Sequence, residues 1–295
     1  MRTGWLTTAL VATGIITLLA AIWFASWTAP RSFVPKTSLD TDRLMSARQY
    51  DQILPTHPRP YVVERAIGGG AGERSGRVVI FGAEHTKDPS HPQLARLREE
   101  WERLKPTVAL VEGRPSGPLA ALGDPVKQFG ESGLVVSLAR KATWDGGCAI
   151  YSWEPDREWE VRTMLAKFPK ERVALFYILR PYVSDLRHGK PANPDAALEA
   201  TRAKRSKWPG LEGAIDSVAA VDAIWKRDFE GLPDWRDTSD EHGWPGYLRE
   251  ISEVSRDLRT ANMVAAALEL TGHGERVFVV CGSSHAVRAE PALAP

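Results

Sequence analysis

Two histidines occupy the same local setting at opposite ends of the chain. In "RVVIFGAEHT" and "RVFVVCGSSH" an apolar run is followed by glycine, two residues and histidine, which gives Gly82 with His85 and Gly282 with His285. A neutral imidazole can act as a general base or bind a metal ion. Glu112, near the end of "TVALVEG", supplies the carboxylate that would orient a histidine or complete a two-histidine, one-carboxylate metal site. The pattern therefore predicts proton-transfer or metal-binding chemistry.

The strands that carry these residues predict a parallel sheet. "VVIF", "VALV" and "VFVV" are apolar at consecutive positions, as in strands covered on both faces. Between the first two lies "SHPQLARLREEWERLK", with Leu94, Leu97, Trp101 and Leu104 at helical spacing and Ser90 as the predicted N-cap. Strand, helix and strand in this order form a βαβ unit. We expect an α/β fold with a mainly parallel central sheet flanked by helices.

Ligands of such sheets bind beyond the carboxyl ends of the strands. Glycine at a strand exit lets the chain turn, so both imidazoles would reach one crevice if their strands are neighbours. Arg114 would place a cation beside Glu112 and keep that carboxylate ionised. Glu84 and Glu154 also follow predicted strands and are further candidates.

The N-terminal segment predicts a membrane anchor. From Trp5 to Trp27 the chain has no charge over about the length of a membrane-spanning helix, and Trp5, Trp23 and Trp27 suit the interfacial belt. We expect residues 1–28 to be an uncleaved anchor, with a cleaved signal segment as the alternative. The proline-dotted residues 29–60 predict a linker. The soluble domain is then expected outside the cytoplasm, in the periplasm.

Residues 61–295 predict a single α/β catalytic-type domain with a Trp- and Pro-dotted insertion at about 190–246. "GGGAGERSG" precedes its strand and lacks a Gly-Lys-Ser/Thr ending, so it predicts a hairpin turn rather than a phosphate-binding loop. Cys148 and Cys281 lie in or beside apolar runs and predict buried thiols, with a disulfide as the alternative. The 38 Lys and Arg residues against 37 Asp and Glu give no basic excess, so we expect no nucleic-acid partner.

Taken together, the motifs resemble a known superfamily. It includes Tiki proteases, TraB/PrgY pheromone-shutdown proteins, ChaN-like haem-binding lipoproteins and erythromycin esterases. The resemblance rests on "GAEH", "VEGRP", "FGESG", "SWEP", "RTANM" and "CGSSH", in this order from about residue 77 to residue 287, apart from the insertion.

The resemblance implies one cleft lined by His85, Glu112, Arg259 and His285. Arg259 is assigned because it stands four residues before Met263, as in the Arg-x-x-x-Met pattern of the superfamily. Two further carboxylates match positions in the cleft wall or behind the cleft, and these are Glu131 and Glu154.

Members of the superfamily use this cleft differently: Tiki-type proteins as metal-dependent peptidases, erythromycin esterases as metal-independent lactone hydrolases, and ChaN-like proteins to bind haem. The resemblance implies a membrane-anchored hydrolase of a peptide or small-molecule ester. His85, Glu112 and His285 would activate water directly or through a divalent Mn, Co or Zn ion. Arg259 would stabilise the developing oxyanion. A haem- or peptide-binding protein without turnover is the alternative, because imidazole is a usual haem ligand.

Overall fold

The computed structural model describes residues 26–68, 76–144, 146–186, 189–239 and 243–293. Most of the predicted anchor, and the glycine-rich turn at 69–75, lie outside the described residues. The chain forms two compact units rather than the single domain expected from residue 61 onward. The first unit holds the chain up to Glu154 together with Thr260 onward, and the second runs from Pro155 to Arg259.

The first unit is built on a mixed sheet. Its strands are β1 (Arg31–Ser32), β2 (Tyr61–Ile67), β3 (Gly76–Ala83), β4 (Val108–Val111), β5 (Ala149–Ser152) and β6 (Arg276–Gly282). They lie in the order β1-β5-β4-β6-β3-β2, and every neighbouring pair is parallel except β2 with β3. The predicted α/β fold with a mainly parallel sheet is confirmed. The two strands that lead to Gly-x-x-His, β3 and β6, are neighbours.

The sheet is buried on both faces, as its apolar strands predict. Side chains alternate along β3, so Val78 and Ile80 pack in one apolar cluster while Val79 and Phe81 pack in the other. All four are fully buried. In the register of β3 with β6, Ala83 pairs with Gly282.

Nine α-helices lie within the described ranges. They are α1 (Ala47–Ile53), α2 (Gln93–Leu104), α3 (Pro125–Lys141), α4 (Arg157–Leu165), α5 (Lys170–Asp185), α6 (Pro194–Arg205), α7 (Val218–Asp228), α8 (Gly246–Gly272) and α9 (Ser283–Ala289). Helix α8 belongs to the second unit through Arg259 and to the first from Thr260.

Helix α2 confirms the predicted apolar face but not the predicted cap. Its four apolar positions are buried, namely Leu94, Leu97, Trp101 and Leu104. The N-cap is Pro92, not Ser90. The hydroxyl and N–H of Ser90 donate to Asp88 Oδ1 at 2.7 and 2.9 Å, so Ser90 closes a turn that precedes the helix.

The segment 29–60, predicted to be a linker, is instead folded into the first unit. β1 pairs with β5, and α1 begins with a capping box between Ser46 and Gln49. Leu44 is buried against the sheet, with Phe33 and Leu39 packed beside it.

Trp27 is also part of this unit rather than of an interfacial belt. It is 7% exposed, and its ring stacks on Phe129 at a centroid distance of 5.7 Å. Among the helices in the described ranges, none has both the length and the apolar character needed to cross a bilayer.

The second unit is helical. The stretch at 190–246, predicted as a Trp- and Pro-dotted insertion, contains α6 and α7, whose N-caps Asn193 and Ser217 accept from the N–H groups of Ala196 and Ala220. The tryptophans that dot it form core: Trp235 is fully buried and its indole N–H donates to Asp222 at 2.8 Å.

Both cysteines are free thiols, so the disulfide alternative is not formed. Cys281 is buried, as predicted, and Cys148 is half-buried. Burial raises the pKa of the Cys148 thiol to about 12.

Because the thiolate is the reactive form of cysteine, we expect a thiol reagent at pH 8 to label Cys148 and Cys281 slowly in the folded chain and fast in the urea-unfolded chain. Rapid labelling of the folded chain at pH 8 would contradict this.

Candidate functional site

The predicted site residues follow three adjacent strands at one edge of the sheet. His85 comes after β3, His285 after β6 and Glu112 after β4, with β6 in the middle. The parallel direction of these strands brings their carboxyl ends to the same edge. The crevice predicted from the glycine exits therefore has its residues on neighbouring strands.

Gly282 connects two of these side chains. Its N–H donates to Glu112 Oε2 at 3.1 Å. His85 Nε2 lies 2.5 Å from the position that a Cβ on Gly282 would occupy. The backbone of Gly282 has φ −64° and ψ 149°, which any residue can adopt, so the close approach of the imidazole is what requires glycine here.

The backbone of His85 is held in an unfavourable conformation. Its φ is 58°, in the left-handed region that few residues other than glycine occupy. On one side the Glu84 N–H donates to Gln93 Oε1 at 3.0 Å, and on the other the Thr86 N–H donates to Glu131 Oε1 at 2.6 Å. Such strain persists only where surrounding structure enforces it. The two hydrogen bonds fix the loop immediately before and after His85.

Gln93 and Glu131 form a buried clamp. They are 3% and 4% exposed, and Gln93 Nε2 donates to Glu131 Oε1 at 2.9 Å. Glu131 reaches the loop because α3 breaks at Gly130, which has φ 61°, and a Cβ there would lie 3.1 Å from Thr86 O. Gln93 was not predicted as a site residue. Its signal in the sequence is a polar residue directly before the buried Leu94.

The imidazole of His85 is exposed, and among the described residues no group forms a hydrogen bond with it. A clamped backbone thus presents an exposed imidazole that lies against Gly282.

His285 lies in a different environment. It is 5% exposed, its Nδ1 is 2.8 Å from Thr260 Oγ1, and its ring meets Trp153 edge-on at a centroid distance of 5.1 Å. Trp153 is fully buried and its indole N–H donates to Val280 O at 2.9 Å. The structure therefore places His285 at the predicted edge, but as a ring enclosed by the fold.

The other predicted residues differ in burial and in their contacts. Arg114 Nη2 donates to Ser32 Oγ at 2.6 Å, so the expected pairing of Arg114 with Glu112 does not form. The side chain of Glu84 is exposed, whereas Glu154 is half-buried after β5. Arg259 is 5% exposed and belongs to the second unit.

The predicted divalent-metal site does not fit this geometry. Among the described residues, no three His, Cys, Asp or Glu side chains form a group that could hold a metal ion. His285 Nδ1 is at Thr260 Oγ1 and Glu112 Oε2 is at the Gly282 N–H. The Mn, Co or Zn ion expected from the resemblance therefore has no preformed set of ligands in these ranges.

Glu131→Ala removes the carboxylate that accepts from Thr86 and Gln93. Leaving a buried donor unsatisfied costs about 1–3 kcal/mol, so we expect the free energy of unfolding in urea to fall by about that amount. Glu99→Ala, at an exposed position of α2, is the matched control and should change it by less than about 0.5 kcal/mol. Equal effects of the two substitutions would contradict a stabilising clamp.

Comparison of the chain with protein-family models, curated proteins and solved structures finds no match. The resemblance drawn from the motifs stays a prediction, and the function is inferred from the site.

Proposed function

We propose that the chain is a membrane-anchored hydrolase of the Tiki, TraB and erythromycin esterase type, cleaving a peptide or a small-molecule ester with His85 as general base. The observation that supports this is the strained, clamped and exposed His85. Backbone strain in folded proteins concentrates at functional sites. An ordinary surface histidine needs neither a left-handed backbone nor two buried polar residues to hold it.

In the proposed reaction His85 accepts a proton from a water molecule whose oxygen attacks the carbonyl carbon of the substrate. The same imidazole then gives that proton to the departing alcohol or amine as the carbon–oxygen or carbon–nitrogen bond breaks. The Glu112 carboxylate accepts from the N–H of Gly282, the residue against which the His85 imidazole lies. One water molecule is added across the cleaved bond, and His85 returns to its starting protonation state. The products are a carboxylic acid and an alcohol or amine.

His285 has a supporting role in this proposal. Its ring contacts Thr260 and Trp153, so it positions the first turn of α9, which follows Gly282 directly. Removal of the proton from the attacking water is assigned to His85, because His85 is the exposed histidine of the two. The oxyanion-stabilising role of Arg259 stays a prediction of the resemblance.

The test is hydrolysis by the full chain in detergent, with nitrophenyl esters of short acids and a fluorogenic peptide library as substrates. His85→Asn should remove the activity. His273→Asn, an exposed histidine that precedes β6 and so lies toward the opposite end of that strand, should retain it. Equal rates for the two variants, or no turnover of any substrate, would contradict the proposal. Activity lost in EDTA and restored by Mn, Co or Zn would favour the metal-dependent form over the direct base.

The accessible imidazole also favours the haem-binding alternative, because a histidine without a protein partner can ligate iron. In that case haemin should give a shifted Soret band with the full chain, and the shift should disappear in His85→Asn but not in His273→Asn. A spectrum that is the same for both variants would argue against haem ligation by His85.

A further inference from the structure

An uncharged apolar loop lies on the surface of the first unit. It runs from Pro115 to Gly123 as "PSGPLAALG". Leu122 is 75% exposed and Leu119 46% exposed, and the Leu122 N–H donates to Leu119 O at 3.0 Å in a tight turn. Leu119 has φ 57°, a conformation unfavourable for leucine. Large apolar side chains exposed side by side commonly mark an interaction surface.

The loop is attached to the end of the N-terminal apolar segment. Trp27 and Gly117 exchange both backbone hydrogen bonds, at 3.0 and 3.1 Å. The Leu119 N–H donates to Ser26 Oγ at 3.4 Å. The uncharged run that begins at Trp5 therefore ends in direct contact with the loop.

Exposed cations lie close to this contact. The guanidinium of Arg140 lies 5.6 Å from the ring centroid of Trp27. Arg140 and Lys141 are both exposed at the end of α3. Exposed cations are attracted to anionic lipid headgroups.

We propose that the loop 115–123 inserts into the lipid bilayer that holds the N-terminal segment, with Leu119 and Leu122 in contact with acyl chains. The inference rests on the membrane anchoring in the proposed function. Lipid is the assigned occupant for two reasons. The segment joined to the loop has the length and composition of a bilayer-spanning run. The exposed cation Arg140 lies beside Trp27, where the segment meets the loop. The loop would hold the first unit at the membrane surface by a second point of contact.

The experiment uses the full chain in vesicles of phosphatidylcholine and phosphatidylglycerol. An NBD fluorophore is attached to one introduced cysteine, in Leu122→Cys, Leu54→Cys or Leu232→Cys. The last two replace exposed leucines of other segments, which are 38% and 48% exposed, and serve as matched controls. Brief labelling at pH 7 limits reaction of Cys148 and Cys281, and the chain without an added cysteine gives the blank.

We expect doxyl-labelled lipid to quench NBD emission at position 122 and to leave emission at positions 54 and 232 unchanged. Flotation of the vesicles reports separately on anchoring. If the chain floats but position 122 is not quenched, or all three are quenched alike, the loop inference fails and the anchor stands. A blue-shifted but unquenched label at 122 would place protein over the loop and would also overturn the inference. If the chain does not float with the vesicles, both the membrane anchoring in the proposed function and the insertion of the loop are wrong.

Discussion

Gly282→Ala is expected to abolish hydrolysis while leaving the fold intact. The backbone of Gly282 suits alanine, but the added Cβ would lie 2.5 Å from His85 Nε2 and 3.2 Å from its Cε1. An imidazole can rotate away, so the cost falls on its position and not on folding. We expect kcat/KM to fall by about 10²–10⁴, the contribution of a general base and the same loss as in His85→Asn. Ester hydrolysis measures the loss of activity, and urea unfolding of the same preparations shows whether the fold is retained.

Gly272→Ala is the matched control for this substitution. No atom lies within 4 Å of a Cβ at Gly272, which ends α8. It should retain activity and gain up to about 1 kcal/mol of stability. The double variant Gly282→Ala/His85→Asn should lose no more activity than either single variant, because both act through one imidazole. Full activity in Gly282→Ala, or additive losses in the double variant, would show that the position of His85 does not control the reaction.

Trp153→Ala is expected to give the largest loss of stability near the site. The side chain is fully buried, donates to Val280 O and packs against His285, while its own carbonyl accepts from Asn262 Nδ2 at 2.8 Å. Removing a buried tryptophan costs about 3–5 kcal/mol, which urea unfolding would detect as a lower midpoint.

Trp153→Phe separates the hydrogen bond from the packing. It keeps a ring against His285 but removes the partner of Val280 O, so we expect a smaller loss of about 1–3 kcal/mol. A loss below about 1 kcal/mol in Trp153→Ala would mean that the indole does not support this edge of the sheet.

The apolar pattern was sufficient to predict the strands that lead to the site. Consecutive apolar residues before Gly82 and Gly282 predicted two buried strands, which are confirmed, and the structure adds that these strands are neighbours. The helix between the first two strands followed from its apolar spacing. These features depend on local sequence and burial, which periodicity encodes directly.

The clamp around His85 was beyond such a prediction. It depends on a helix break at Gly130 that brings Glu131 to Thr86, a contact between residues 45 positions apart. Gln93 was missed because it carries no motif. Trp27 was assigned to a membrane interface from composition, whereas its packing on Phe129 is tertiary. Helices α6 and α7 were not predicted within the insertion, although Asn193 and Ser217 are good N-caps.

The position of β6 has a consequence for the order in which the protein is completed. Among the described strands β6 comes last in chain order, yet it lies inside the sheet, where Cys281 contacts Phe81 from 200 residues away. Before it arrives, β3 is paired only with β2, and β4 only with β5. Closing so distant a contact slows folding, because the entropy of the intervening chain is lost first. The same strand carries Gly282 and leads to His285, so a nascent chain that stops short of residue 276 has neither a continuous sheet nor the glycine against which His85 is placed. Under the proposed function, His85 would be positioned for proton transfer only after β6 has joined the sheet.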